Sequence, residues 1–168
     1  MTDYRIVKQV HRKVRNSSKV LKAVMFVFIV LFLLSAIIFS RGFMLPCFLM
    51  TVLYIIYDAV AYKEYEYVLD DRELSIYMIL GRRYRLTRQK LDLDQLIVLA
   101  PHDSNEVSAW KNGGIEKIRK FDYTSYEDDI PYYTMIINEN NEKIKLLLDL
   151  DDEILENIKR KYPNKVFR

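Results

Sequence analysis

Glycine is scarce, with four in 168 residues, and no glycine-rich run is present that could cradle a phosphate. Cysteine is scarcer still: Cys47 is the only one, which excludes an internal disulfide and a multi-cysteine metal site. The two histidines, His11 and His102, lie far apart in the chain, and neither accompanies a nucleophile motif. These gaps predict a protein that is not an enzyme, with no cofactor, no metal and no evident small-molecule substrate. An excess of one charge is missing as well. From Tyr62 onward 18 basic residues stand against 21 acidic ones, so nucleic acid is not an expected partner.

What the chain does have is segregation. No charged residue occurs between Ala23 and Phe39, and only Asp58 between Phe43 and Ala61. A helix rising about 1.5 Å per residue needs roughly 20 residues to cross a hydrocarbon core of about 30 Å. Residues 20–39 and 43–61 each nearly supply that length. Each Leu, Ile, Phe or Val favours insertion by about 0.3–0.6 kcal/mol, against a penalty of about 2.5–3.5 kcal/mol for a mid-bilayer carboxylate. Asp58 escapes most of that penalty by lying near one end, beside Tyr54, Tyr57 and Tyr62, where it is expected to snorkel or to pair with the nearby Lys63. Pro46 falls in the first turn, where a missing N–H costs little. Ser40-Arg41-Gly42 allows only a tight reversal, so residues 23–61 read as a transmembrane helical hairpin. A cleaved signal peptide would have a shorter apolar run ending in small residues, whereas this one ends Ile-Ile-Phe-Ser-Arg and meets a second run.

The first 22 residues carry Arg5, Lys8, Arg12, Lys13, Arg15, Lys19 and Lys22 against Asp3 alone, while the reversal holds only Arg41. That bias predicts a multi-pass protein of the cell membrane with both termini cytoplasmic. Val7, Val10, Val14 and Leu21 recur at roughly helical spacing, so residues 1–22 read as a basic amphipathic arm on the inner leaflet. Arg12, Lys13, Arg15, Lys19 and Lys22 are then the candidate membrane-surface or lipid contacts. Ser17 or Ser18 is the expected cap of the first span.

Residues 62–168 change period, to short alternating runs punctuated by turn residues. Tyr65, Tyr67 and Leu69 share one face of a first strand. Leu74, Ile76, Met78 and Leu80 share one of a second, and Gly81 turns the chain into a third with Tyr84 and Leu86 inward. Leu96–Leu99 forms a fourth, Pro101–Gly114 a loop, and Ile115–Tyr123 a fifth. Two more, Tyr132–Asn138 and Lys143–Leu148, flank Glu139-Asn140-Asn141, with Ile144, Leu146 and Leu148 inward and Lys143 and Lys145 outward. A helix over 152–162 closes the chain, with Ile154, Leu155, Ile158 and Tyr162 as its apolar stripe. Asp149, Asp151, Asp152 and Glu153 precede it as capping and dipole-matching carboxylates, without the spacing of a calcium loop.

Seven strands and one C-terminal helix over residues 65–162 resemble the pleckstrin-homology-like fold, a seven-stranded antiparallel barrel plugged by its helix. Leu99-Ala100-Pro101, Phe121-Asp122-Tyr123-Thr124-Ser125 and Pro163-Asn164-Lys165-Val166-Phe167 are similar to segments of a bacterial family of two-pass membrane proteins carrying such a domain. That resemblance implies location and an α+β domain, and brings no activity with it. Arg82, Arg83, Arg85, Arg88 and Lys90 form the one basic cluster in the domain. Phosphoinositide-binding members of the fold carry basic residues around the first hairpin turn, which here is Asp70-Asp71-Arg72. Arg82, Arg83, Arg85 and the loop residue Trp110 are therefore candidate contacts for a protein partner or a second copy, with anionic lipid as the alternative.

Overall fold

The computed structural model of the chain describes residues 5–14, 16–39, 41–81, 83–110, 118–127 and 129–168. These fall into two compact units: Met1–Arg12, Glu64–Met78 and Arg85–Arg168 in one, Lys13–Lys63 and Ile79–Tyr84 in the other.

The first unit is built on two four-stranded sheets. In one, β1 (Arg5–His11), β2 (Lys63–Asp70), β3 (Glu73–Leu80) and β4 (Tyr84–Asp92) lie side by side in that order. The other holds β5 (Leu96–Pro101), β6 (Arg119–Asp122), β7 (Tyr133–Glu139) and β8 (Glu142–Leu148), in the spatial order β5-β7-β8-β6. A helix, α3 (Asp152–Lys161), ends the chain's regular structure. Among the described residues the fold is thus eight strands in two sheets rather than a seven-stranded barrel.

The eighth strand is β1, where the sequence predicts an amphipathic helix. Seven residues pair antiparallel with β2, from Arg5 opposite Asp70 to His11 opposite Glu64. Ile6 and Val10 are buried, and Val7 is exposed. Residues four apart share a face in both a helix and a strand, so Ile6 and Val10 fit either period. Pairing decides for the strand, because β2 offers a row of backbone partners to a segment rich in β-branched residues.

A second departure is β6, which pairs parallel with β8. The segment after β6 crosses to start β7, and β7 and β8 then form the hairpin, which leaves β6 and β8 running the same way. Residues 111–117, the end of the expected loop and the first three positions of the expected fifth strand, lie outside the described residues. The β7–β8 turn follows the sequence closely: Asn140 and Asn141 both adopt left-handed backbone (φ 52° and 64°), as a two-residue hairpin turn requires. Strand β8 is buried from Ile144 through Leu148, Lys145 included, because it lies inside the sheet. In β4 the parity is opposite to expectation: Gln89 and Leu91 are buried, while Tyr84 and Leu86 are exposed.

The core collects Tyr67, Leu74, Ile76, Leu99, Met135, Ile137, Ile144 and Leu146, with Ile154, Leu155 and Ile158 of α3. Burying each such aliphatic side chain contributes about 1.5–3 kcal/mol. Asp151 caps α3 by accepting from the Ile154 N–H at 3.0 Å, and the helix ends on Lys159, Arg160 and Lys161, matching its dipole.

The second unit is helical: α1 (Asn16–Ile38), a 3₁₀ turn at Arg41–Phe43, and α2 (Met44–Ala61). Helix α1 begins at Asn16, so Ser17 and Ser18 lie inside it rather than at its cap. Both helices are long and apolar enough to cross a membrane. Within this unit Phe26 packs on Tyr54 with ring centroids 6.5 Å apart, and the Thr51 hydroxyl donates back to the Cys47 carbonyl at 2.8 Å. Ala36 alone is buried on α1 and no residue on α2, so the apolar side chains face outward.

Candidate functional site

The segment Phe121-Asp122-Tyr123-Thr124-Ser125 leaves the end of β6 and ties the two sheets together. One carboxylate oxygen of Asp122 accepts from the Thr124 N–H (3.2 Å) and hydroxyl (2.8 Å), and the Tyr126 hydroxyl donates to the other at 3.2 Å. These short-range bonds hold Tyr126 in left-handed backbone at φ 60°. Tyr67 of β2 donates its hydroxyl to the Tyr123 carbonyl at 2.8 Å, and Tyr123 donates its own to the Gln89 side-chain oxygen of β4 at 3.1 Å. The Tyr65 ring meets Tyr123 edge-on at 5.1 Å. Buried Asp149 accepts the Ser125 N–H at 2.7 Å, so it anchors this segment instead of joining the cap of α3.

Burial pushes the Tyr67 phenol above its ordinary range and that of Tyr123 up to about 12, the latter also raised by Tyr65. Both stay protonated donors at neutral pH. The network therefore supplies rigidity: each buried polar atom named here has its partner, and the loop has one way to sit. Only the Phe121–Ser125 motif pointed to it in the sequence. Gln89 and Asp149, surrounded by charged and apolar residues that read as an exposed strand and a helix cap, gave no separate signal.

The sequence-predicted contacts are dispersed. Arg12 donates to the Tyr65 hydroxyl at 2.8 Å, and its guanidinium lies 4.0 Å from the centre of the Tyr126 ring. Lys13 and Lys19 are exposed, and Arg15 lies outside the described residues. Lys22 forms an ion pair with Asp58, the partner the sequence reading gave to Lys63, and its ammonium stands 5.1 Å from the Tyr62 ring and 5.6 Å from that of Tyr54. Arg82 lies outside the described residues, whereas Arg83 is exposed. Arg85 pairs with Glu66 at 2.8 Å and stacks over Tyr77 at 3.8 Å. Trp110 is half-buried against Val98, Ala100, Val107 and Ile136. Its carbonyl accepts from Lys145 at 3.0 Å, and Lys143 stands 5.4 Å from its ring, so both lysines bracket the indole rather than facing solvent alone.

Two of the concavities formed by described residues hold charged groups. One, of about 230 Å³, is lined by Lys8, His11, Ser125, Glu127, Ile130 and Asp149 among others. Lys8 pairs there with Asp151 at 3.8 Å, and His11 Nε2 lies 3.5 Å from a Glu64 carboxylate oxygen. The other, about 640 Å³ and wide open, alternates Asp70, Arg72, Glu73, Lys90, Asp92 and Asp94. Among the described residues no group of three or more histidines, cysteines or carboxylates is placed to hold a metal ion.

The sheet edges differ more than the hollows do. The outer edge of β5 is covered by the C-terminal tail, with Leu99 N–H donating to the Lys165 carbonyl and Phe167 N–H to the Leu99 carbonyl, both at 2.8 Å. Val166 bridges Leu99 in parallel register. This is the work of the Pro163–Phe167 segment. Strand β4 is the terminal strand of the other sheet, and its first five residues are all exposed.

Residues 6–168 match the bacterial PH-like domain family (DUF6106), and the chain belongs to that family. Neither the curated proteins nor the solved structures supply a match.

Proposed function

We propose that this chain is a membrane-tethered interaction module. Helices α1 and α2 cross the cell membrane as a hairpin, both termini are cytoplasmic, and the PH-like domain binds a protein partner or a second copy. The tether is supported by α1 and α2 themselves, whose apolar side chains are exposed along nearly the whole length. In water that much outward apolar surface is unfavourable, and in hydrocarbon it is favourable. The sidedness is supported by β1 and β2, which flank the two helices in sequence and pair with each other over seven residues. The basic N-terminal residues assign their side to the cytoplasm.

The observation that carries the interaction reading is the outer edge of β4, to which no further strand pairs among the described residues, set against the covered edge of β5. A free edge presents unpaired N–H and C=O groups to another strand. Arg85, Leu86, Thr87 and Arg88 are four consecutive exposed residues there, and Leu86 keeps 45% of its surface in contact with solvent. A photocrosslinker at Leu86 of the full-length chain in native membranes tests this, with the same group at Asp152, on the exposed first turn of α3, as control. An adduct at Leu86 of defined mass, absent at Asp152, is the expected result. No adduct, or the same adducts at both positions, removes the support.

A further inference from the structure

We propose that the turn between β3 and β4 is an anionic-lipid site, in which Arg83 and Tyr84 engage a phosphate-bearing headgroup at the end of the helical hairpin. This rests on the membrane-spanning reading above. Residues 79–84 belong to the same compact unit as α1 and α2. Two contacts fix the turn there. The Gly81 N–H donates to the Tyr62 carbonyl at 3.2 Å, just past the end of α2. A Cβ on Gly81 would stand 3.3 Å from the Ala59 Cβ and 3.4 Å from its Cα, on a backbone at φ +56°. Only glycine meets both the left-handed turn and the close approach.

The end of the hairpin that receives this turn is marked by its chemistry as the edge of the hydrocarbon. Asp58, the neighbour of Ala59, pairs there with Lys22 from the other helix, and Lys22 stands beside Tyr54 and Tyr62. Charges paired across two apolar helices and flanked by tyrosines belong to the headgroup layer. The turn docked at that level brings Arg83 and Tyr84 with it. Both are exposed, Tyr84 at 70%. Asp58 is the only acidic residue in the unit, and Lys22 occupies it. Between Glu73 and Asp92 the sequence has no acidic residue at all. The Arg83 guanidinium therefore has no carboxylate of its own unit to meet, and lipid phosphate is the anion present at that depth. Tyr84 offers an amphipathic ring suited to the same layer. Lys19, exposed on α1 about one turn before Lys22, adds positive charge at this end.

The test uses the full-length chain in lipid nanodiscs, with Tyr84→Trp in a Trp110→Phe background as a single fluorophore. Carbonate extraction of native membranes first asks whether the chain is integral. Release into the supernatant overturns the spanning reading and this inference with it. For an integral chain, brominated phosphatidylglycerol and brominated phosphatidylcholine are compared as quenchers at equal mole fraction. Quenching of the introduced indole by the anionic lipid about fivefold more effective than by the neutral one is expected, the factor for roughly 1 kcal/mol per basic residue at a charged leaflet. Arg83→Gln should bring the two lipids to parity. Gly81→Val should shift the indole toward quenching by aqueous iodide. Equal quenching by both lipids in the unsubstituted turn, or quenching by iodide alone, refutes the site while leaving the spanning reading intact.

Discussion

The two units are made from the same apolar side chains used in opposite ways. In the sheet unit Leu146, Ile144 and Leu99 have no measurable exposure, whereas in the helical unit Leu31, Leu33 and Leu53 are about half exposed, at 52%, 50% and 53%. A leucine stabilises the first by leaving water for a packed interior of fixed shape. In the second it has almost no protein interior to enter, so its contribution depends on the medium outside. Composition alone does not distinguish the two, and periodicity does, because alternation closes a core and an unbroken apolar run does not.

The largest expected effect is a direct break of that contrast. Leu146→Ala should destabilise the domain by about 2–5 kcal/mol, through lost burial plus the cavity left behind. Leu31→Ala should leave domain unfolding unchanged and alter insertion by less than about 1 kcal/mol. Thermal unfolding of the full chain in detergent, followed through tyrosine near-ultraviolet dichroism, measures the first, and membrane flotation the second. Equal loss of domain stability in the two variants would erase the distinction between units.

A smaller effect separates their acidic groups. Asp149 is 2% exposed and holds the Ser125 N–H, so Asp149→Ala should cost about 1.5–3 kcal/mol by leaving that donor unpaired. Asp149→Asn, which keeps an acceptor oxygen, should recover part of it. Asp58→Asn should have no effect on domain unfolding, since the half-exposed Lys22 can reach water. Denaturant titration of the three variants checks the order, and a domain cost for Asp58→Asn as large as for Asp149→Ala would contradict it.

The smallest effect is an acid response confined to the sheet unit. Lys161 holds Asp71, and the Tyr162 hydroxyl at 2.5 Å holds Asp94, each below the ordinary carboxylate value of 3.8. A carboxyl depressed in the folded state stabilises above its ordinary value and loses that contribution as pH falls through the folded one. These groups are exposed, so the contribution is slight. Lys161→Met should make the end of α3 loosen at a higher pH than in the parent chain, seen in acid titrations of its amide resonances below about pH 4. Superimposable titrations would show that the contact does nothing for the fold.

The strands of the domain, the C-terminal helix and the two apolar helices are legible in the sequence because each obeys its own period over enough residues. The failures have physical causes at particular positions. At β1, residues four apart satisfied strand and helix alike. At β4, the alternation of Tyr84 and Leu86 is real, but which parity faces inward is set by pairing with β3, and Gln89 and Leu91 take the interior. Lys145 alternates as an outward residue should, yet it is buried because the segment Asn105–Trp110 covers that face and offers it a carbonyl. Asp58 finds Lys22, 36 residues earlier, before Lys63, which local reasoning chose because it was near. Long-range pairing is the common element in these misses, and it is the part that a single sequence encodes least directly.

Strand β1 also imposes an order on biogenesis. It is made before α1 and α2, but its partner β2 is translated only after both. At about 5–20 residues per second, the interval between His11 and Asp70 lasts roughly 3–12 s. During that time a basic, β-branched strand stands without its mate. Its Arg5 and Lys8 put charge on the strand while it is unpaired, and the first strand of the sheet is locked in place only once the two helices and β2 have been made.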